Sequence, residues 1–295
     1  MVGLKKYYQV LFVFLVILVT GMLIIGCQSQ SSKQSSKDQI TAAVSIVPQK
    51  TFVKAVAKDL VEVITMIPPG YSPGNYEPPP DKMEKFSDSQ IYFSIGVPAD
   101  QTYILPRAHK LNRDLKIVKL HKRVANVYPD REFVPGKRDP HIWMSPKRVK
   151  RIIEIIKKQL IAIDSTHQEV YKQNAASYIN KLDQLDQYIR SVFNHDSNKT
   201  FIIYHPSLGY LTKDYGLKMI AVQKSGKKAS AKQFQQVIKK ARANNIKAVF
   251  YQKQIDSGQT EALAEEIGAK TIAINPLASN YIENMKKIIH LLNKY

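Results

Sequence analysis

The residues of this chain that could do chemistry lie where a predicted sheet would present them to a ligand. His205 and Asn275 follow directly on predicted strands, the segment 74–77 lies in the loop after another, and His141 lies in a loop before a predicted helix. In open α/β sheets, ligands bind beyond the carboxyl ends of the strands. Two histidines that hold a metal ion could activate water on it. However, the sequence has no His-Glu-x-x-His motif and places no acid as a clear general base, so a hydrolase has little support.

The elements that must position these residues alternate between strands and helices. Between the first two predicted strands, the apolar residues of the segment 50–60 have helical spacing. This alternation predicts an α/β fold with parallel sheets and helices on both faces. The predicted strands are 42–47, 61–67, 91–95 and 116–120 in the first half of the chain, and 201–204, 218–222, 248–251 and 270–274 in the second.

One long amphipathic helix separates the two halves. From about 166 to 193 the chain contains no proline or glycine, and its apolar residues recur at spacings of three and four. At about 1.5 Å per residue, such a helix spans about 40 Å. A preceding helix is predicted to begin at Pro146 with Ser145 as its N-cap. The sequence therefore predicts two Rossmann-like α/β lobes that flank one long rigid helix.

The amino-terminal segment has the layout of a secretory leader. Lys5 and Lys6 precede an apolar run that ends at Gly26-Cys27, after which serine and glutamine dominate. A small residue directly before a cysteine resembles the bacterial lipobox, in which that cysteine is lipidated and anchors the mature protein. A plain membrane anchor is the alternative, because the apolar run is long. The predicted divisions are a leader (1–27), a flexible tether (28–38), an N-terminal lobe (39–164), the interlobe helix (165–196) and a C-terminal lobe (197–295).

Charge and cysteine content support an extracytoplasmic protein. The chain has 295 residues with 44 Lys plus Arg and 24 Asp plus Glu, a net charge of +20. Cys27 is the only cysteine, so no internal disulfide can form, and a chain of this length buries a core without one. A protein outside the cell does not meet nucleic acid in its normal work. The basic charge is therefore interpreted as suiting an anionic lipid and wall-polymer surface.

Four segments together resemble one known family, the metal-binding lipoproteins that serve ABC importers of zinc and manganese (cluster A-I substrate-binding proteins). The resemblance implies two α/β lobes with a metal cleft between them, and a monomer that binds a metal ion and passes it to a membrane permease without catalysing a reaction. The segments are the Pro-Pro-Gly…Tyr-Glu-Pro loop (68–78), Asp-Pro-His-x-Trp-x-x-Pro (139–146), the stretch from Tyr204 to Leu217, and Asn275-Pro276-Leu277.

The resemblance also implies a ligand set, of which this chain keeps only part. The family's usual site has three histidines and one carboxylate, a set that suits Zn²⁺ or Mn²⁺. His141 matches the second histidine and His205 the third. Gly74 stands where the first histidine would be, and Asn275 stands where the carboxylate would be.

The remaining changes also remove negative charge from the expected cleft. Lys224 and Gln252 stand where the family often has acids. Asn75 adjoins the vacant first position and Glu77 lies two residues further on, so either could substitute for it, and water could fill the rest. An amide oxygen brings no charge to a divalent cation. We therefore expect weaker binding, altered metal selectivity, or a different ligand.

Each candidate ligand also has a purely structural interpretation. His141 could cap a helix, and His205 could contact a metal ligand rather than the metal itself, but their segments favour ligation. Asn275 precedes a proline and fits a turn as well as a ligand. A structural role is favoured for Asn75 and Glu77.

The sequence thus predicts a lipid-anchored receptor on the outer face of the cell membrane, which captures zinc, or manganese, for an ABC import permease. His141 and His205 would be its core ligands, with Asn275, Asn75 or Glu77 completing the shell. Two alternatives stay open: a binder of an anionic metal chelate or small anion, and a surface adhesion lipoprotein that has lost metal transport.

Overall fold

Two four-stranded parallel sheets form the framework, which confirms the predicted α/β class. The computed structural model describes residues 39–194, 199–223, 227–255 and 258–295, so the leader with Cys27, the tether and Lys224 lie outside the described residues. The strands of the first sheet are β1 (Ile40–Val44), β2 (Val61–Thr65), β3 (Ile91–Ser94) and β4 (Lys116–Lys119). A short antiparallel hairpin contains β5 (Glu132–Val134) and β6 (Lys137–Arg138), and the second sheet contains β7 (Thr200–Ile203), β8 (Lys218–Ala221), β9 (Ala248–Gln252) and β10 (Lys270–Ile274).

The two sheets repeat one topology. The first has the order β2-β1-β3-β4, and the second has the equivalent order β8-β7-β9-β10, with all neighbouring strands parallel. In each sheet the strand order reverses at its first strand. A doubly wound sheet binds ligands at such a switch point, beyond the carboxyl ends of its strands. The segments after β1, β3, β7 and β9 are therefore the places where a site is expected.

Ten α-helices cover the sheets. They are α1 (Val47–Ala57), α2 (Pro80–Ser87), α3 (Leu105–Leu111), α4 (Leu120–Ala125), α5 (Pro146–Ile163), α6 (Gln168–Phe193), α7 (Gly209–Tyr215), α8 (Ala231–Ala243), α9 (Gly258–Ile267) and α10 (Tyr281–Lys294), counted over the described residues. None of these helices combines the length and the apolar character that a membrane span requires.

The first strand ends earlier than the sequence predicts. A strand was predicted at 42–47, whereas β1 ends at Val44. The side-chain oxygen of Gln49 accepts hydrogen bonds at 3.1 Å from the backbone N–H groups of Ser45 and Ile46. These bonds hold the turn that leads from β1 into α1, while the backbone oxygen of Ser45 still accepts from the N–H of Ile67 at 2.9 Å.

The long helix α6 joins the packing of both lobes. It has 26 residues, and its buried face includes Tyr171, Leu182, Leu185 and Ile189. At about 1.5 Å per residue it is about 39 Å long. It packs against α1 and α5 of the N-terminal half and against α10 of the C-terminal half. One hydrophobic core therefore runs from the first sheet through α6 to the second.

Hydrogen bonds tie the two lobes together near the site. The hydroxyl of Tyr210 in α7 donates to the backbone oxygen of Asp139 and accepts from the backbone N–H of Arg131, both at 2.9 Å. The indole N–H of Trp143 donates to the backbone oxygen of Pro276 at 2.9 Å. These bonds thus hold the loop that carries His141 in a fixed position against the C-terminal lobe.

Candidate metal centre

A cleft of about 790 Å³ opens at the switch points of the two sheets. Gly96 after β3, His205 after β7 and Gln252 at the end of β9 line it. The loop before α5 contributes His141 and Trp143. This is the place where the strand order alone predicts a ligand.

His205 is fixed by a residue from the neighbouring strand. Because β7 and β8 are parallel neighbours, their carboxyl ends bring His205 beside Gln223. Nδ1 of His205 donates a hydrogen bond of 2.8 Å to Oε1 of Gln223. Burial and the charge of His141 lower the pKa of His205 to about 4, although Gln223 and Asp139 oppose the shift. The ring is therefore neutral at pH 7, and its Nε2 carries a free lone pair.

His141 is fixed by a carboxylate of its own loop. Asp139 is completely buried, and its Oδ1 accepts from the backbone N–H of His141 at 3.0 Å and from Nδ1 at 2.7 Å. Its Oδ2 accepts from Arg131 at 2.8 Å. Burial raises the pKa of Asp139, but the charge and hydrogen bonds of His141 and the charge of Arg131 outweigh it and lower the pKa below its usual value. An ionised Asp139 holds the proton of His141 on Nδ1, so Nε2 faces the cleft.

The two imidazoles meet across the cleft. Nε2 of His141 and Nε2 of His205 are 3.3 Å apart. Because each Nδ1 is directed at its own acceptor, both Nε2 atoms face the cleft, where one cation could contact them together. Tetrahedral zinc with Zn–N bonds of about 2.05 Å separates two nitrogen ligands by about 3.3 Å. The pair therefore has the spacing of two zinc ligands.

The described residues provide no larger ligand cluster. Within them, no group of three or more His, Cys, Asp or Glu side chains converges to hold a metal ion. Gly74 and Asn75 both line the cleft and both are exposed. A Cβ added at position 74 would lie 3.4 Å from Oγ of Ser72, an ordinary van der Waals contact. Position 74, which the resemblance matches to the family's first histidine, therefore has room for a Cβ.

Asn275 and Glu77, the other two predicted ligands, are engaged elsewhere. Oδ1 of Asn275 accepts from the backbone N–H of Leu277 at 3.0 Å and from Gln254 at 3.2 Å. Asn275 does not line this cleft but a smaller cavity of about 330 Å³ beside it. Glu77 accepts from Arg107 at 2.7 Å on the surface.

Sequence reasoning did not anticipate the residues that orient the two rings. Asp139 stood in the recognised motif without an assigned role, and nothing in the sequence pointed to Gln223. Gln223 lies two residues beyond the end of β8, and it reaches His205 because β8 pairs with β7, the strand before His205. Gln252 forms a second buried contact at this edge, since its Nε2 donates to Oγ of Ser207 at 2.7 Å.

One motif also escaped the sequence analysis. Residues 70–74 read Gly-Tyr-Ser-Pro-Gly, the Gly-x-Ser-x-Gly pattern of hydrolase nucleophile elbows. That elbow requires a tight strand-to-helix turn, whereas this segment lies within the long loop between β2 and α2. Oγ of Ser72 accepts from the backbone N–H of Gly74 at 3.2 Å. The match is therefore a local loop turn.

Comparison with known proteins decides the family. Residues 43–295 match the family model described as ZnuA, zinc-uptake complex component A, periplasmic. The chain belongs to the ZnuA family. Its relatives include the high-affinity zinc uptake system protein ZnuA of Bacillus subtilis (strain 168), which is 27% identical over 284 residues that cover 89% of this chain and 87% of that protein.

Two further matches extend this result. The zinc-binding lipoprotein AdcA of Streptococcus pneumoniae (strain ATCC BAA-255 / R6) is 27% identical over 301 residues, which cover 93% of this ZnuA-family chain but only 58% of AdcA. A crystal structure titled ZnuA superimposes with a TM-score of 0.82 and 31% identity, covering 87% of this chain and 99% of that one. The predicted family and the predicted fold are both confirmed.

Proposed function

We propose that this protein is the metal receptor of an ABC importer, which captures a divalent transition metal, zinc first and manganese second, in the cleft between its lobes. The observation that carries the proposal is the Nε2–Nε2 pair of His141 and His205 at 3.3 Å, with each Nδ1 held by its own acceptor. Imidazole nitrogen suits zinc better than manganese, which prefers oxygen ligands.

The remaining coordination positions are assigned to water and to groups that reach the cleft. Asn75 lines it, so it is the better placed of the two amide ligands proposed from the sequence. For Asn275 and Glu77, ligation would require them to leave their present partners, Leu277 and Arg107. A site with only two nitrogen ligands from the chain binds zinc more weakly than a full set of four would.

We further propose that the protein works outside the cytoplasm, anchored by lipid on Cys27, and delivers its metal to a membrane permease. The lipobox in the sequence and the printed names of relatives support this: one is a zinc uptake system protein and another a zinc-binding lipoprotein. The role is binding rather than catalysis. His141 and His205 are each oriented by a hydrogen bond on Nδ1, and Ser72 sits in a loop turn rather than in an elbow.

The test is a zinc titration of the metal-free chain from residue 28 onward, which contains the whole compact unit 39–295. An indicator dye that competes for the metal reports the affinity. Replacing His141 or His205 by Ala removes one of two nitrogen ligands, so zinc affinity should fall at least about 100-fold in each variant.

The matched control is His290→Ala, because His290 is exposed on α10, outside the residues that line the cleft. Its zinc affinity should stay within about twofold of the unaltered chain, since it touches no group of the site. Equal loss in all three variants, or no loss in either cleft variant, would contradict the proposal. Repeating the titration with manganese ranks the two metals.

A further inference from the structure

The charge around the cleft is wrong for a bare divalent cation. Among the described residues that line it there are two cations, Lys137 and Arg138, and no aspartate or glutamate. Asp139, which contacts His141, is buried and already paired with Arg131. A dication held by the two imidazoles would therefore add to the positive charge of Lys137 and Arg138, and no carboxylate among the described lining residues offsets it. Anions must accompany it.

The cleft is also larger than an ion with water requires. Its volume of about 790 Å³ lies within the range of about 300–1,000 Å³ found for small-molecule pockets. Phe133, Trp143 and Leu277 give it apolar walls, as such pockets have. Two imidazoles occupy only two of the four positions of tetrahedral zinc. The cleft thus has the volume and the apolar walls for an organic ligand, and the metal would have vacant coordination positions for it.

Arg138 is built into the wall at a defined place. Its Nη2 donates to the backbone oxygen of Gly96, and its Nη1 to that of Asp139 at 3.4 Å. Gly96 has φ of +83°, and a Cβ there would lie 2.6 Å from Nη2 of Arg138 and 2.4 Å from Nδ1 of His121. Only glycine allows this approach. In the described part of the chain, none of the salt bridges involves Arg138.

We propose that the cleft takes the metal together with a small carboxylate chelator, whose carboxylates complete the coordination of the metal and face Arg138. The inference rests on the proposed function, because His141 and His205 still bind the metal. It assigns to the chelator the charge that a chain carboxylate would otherwise bring. A guanidinium matches a carboxylate in shape and charge, so Arg138 would recognise the complex rather than the ion.

The probe is citrate, and the measurement is equilibrium dialysis with zinc and radiolabelled citrate. The citrate concentration is raised, and total zinc is adjusted until an indicator on the protein-free side reports the same free zinc concentration each time. A site for the bare ion binds the same amount of zinc at every citrate concentration. A site for the complex binds more zinc as citrate rises, and retains citrate in a 1:1 ratio to zinc and only when zinc is present.

The decisive variant is Arg138→Gln, because the proposal predicts that it changes the affinity for zinc alone and the affinity for zinc with citrate in opposite directions. Loss of a cation from the cleft should strengthen binding of zinc alone, while the gain that citrate brings should fall about tenfold, the effect of one charge-assisted hydrogen bond. Damage to the fold would weaken both. Arg242→Gln is the matched control, since Arg242 is exposed, pairs with Glu266 and does not line the cleft.

Each other outcome overturns the inference in a recognisable way. If zinc binds equally with and without citrate and no citrate is retained, the proposed metal receptor is supported but the chelator is ruled out. Failure to bind zinc under both conditions overturns the proposed function together with the chelator.

Discussion

The proton on Nδ1 of His141 is held by the buried carboxylate of Asp139, and this contact should set the strength of metal binding. Replacing Asp139 by Asn keeps the shape but removes the charge that strengthens Nε2 as a donor. We expect zinc affinity to fall about 10- to 100-fold, the usual effect of losing such a partner. Competition against an indicator dye measures it.

The chain offers a matched control for this change. Asp164 accepts from Nδ1 of His167 at 2.7 Å, the same contact at the same distance, but neither residue lines the cleft. Asp164→Asn should leave zinc affinity unchanged. A drop of similar size in both variants would mean that the loss reflects the fold and not the orientation of His141.

The sequence could identify ligands but not their partners, for a physical reason. His141 and His205 are each carried by a local motif, so their neighbours in sequence point to them. Gln223 reaches His205 only because β7 and β8 pair in register, with Thr200 opposite Lys218. Pairing of that kind depends on the whole sheet and leaves no local signature.

At the scale of elements, a buried ion pair fastens α5 to α7. Nη1 of Arg148 donates to the two carboxylate oxygens of Asp214 at 3.1 and 2.9 Å, and its guanidinium lies 4.4 Å from the ring centre of Tyr210. Arg148 is only 3% exposed. Asp214→Ala leaves that charge buried without its carboxylate, so the free energy of unfolding should fall by about 3–5 kcal/mol. Urea denaturation measures it.

The control for this prediction is an exposed pair on α6. Glu169 accepts from Lys172 at 2.7 Å, and both side chains are about half exposed or more. Glu169→Ala should change the free energy of unfolding by about 0–1 kcal/mol. If Asp214→Ala has no larger effect than this, the ion pair is not a significant tie between α5 and α7.

Most elements of the fold followed from periodicity, and the exceptions are short. The eight strands of the two sheets and the long helix all overlap their predicted ranges, and Ser145 caps α5 as expected, since its Oγ accepts from the backbone N–H of Arg148. The predictions omitted α2, α3, α4 and the β5–β6 hairpin. Those segments have few residues to display a period, and tertiary contacts decide their conformation.

At the scale of the whole molecule, the two lobes share one hydrophobic core. The cluster that contains Val44 and Phe93 of the first sheet also contains Phe250 and Ile274 of the second, joined through the buried face of α6. Lobes that share a core cannot lose their packing independently, because unfolding one exposes apolar surface of the other. The predicted division at 39–164, 165–196 and 197–295 stays a prediction, and the shared cluster leads us to expect that its parts unfold together.

This shared core predicts a single unfolding transition, and the only tryptophan reports it well. Trp143 lies where the lobes meet, with its N–H on the backbone oxygen of Pro276. Urea curves from Trp143 fluorescence and from far-UV circular dichroism should coincide, as two-state unfolding requires. Zinc at about 100 times its dissociation constant should stabilise the protein by about 2.7 kcal/mol and shift both curves together. Two separate transitions, or a zinc shift seen by fluorescence alone, would show that the lobes unfold independently.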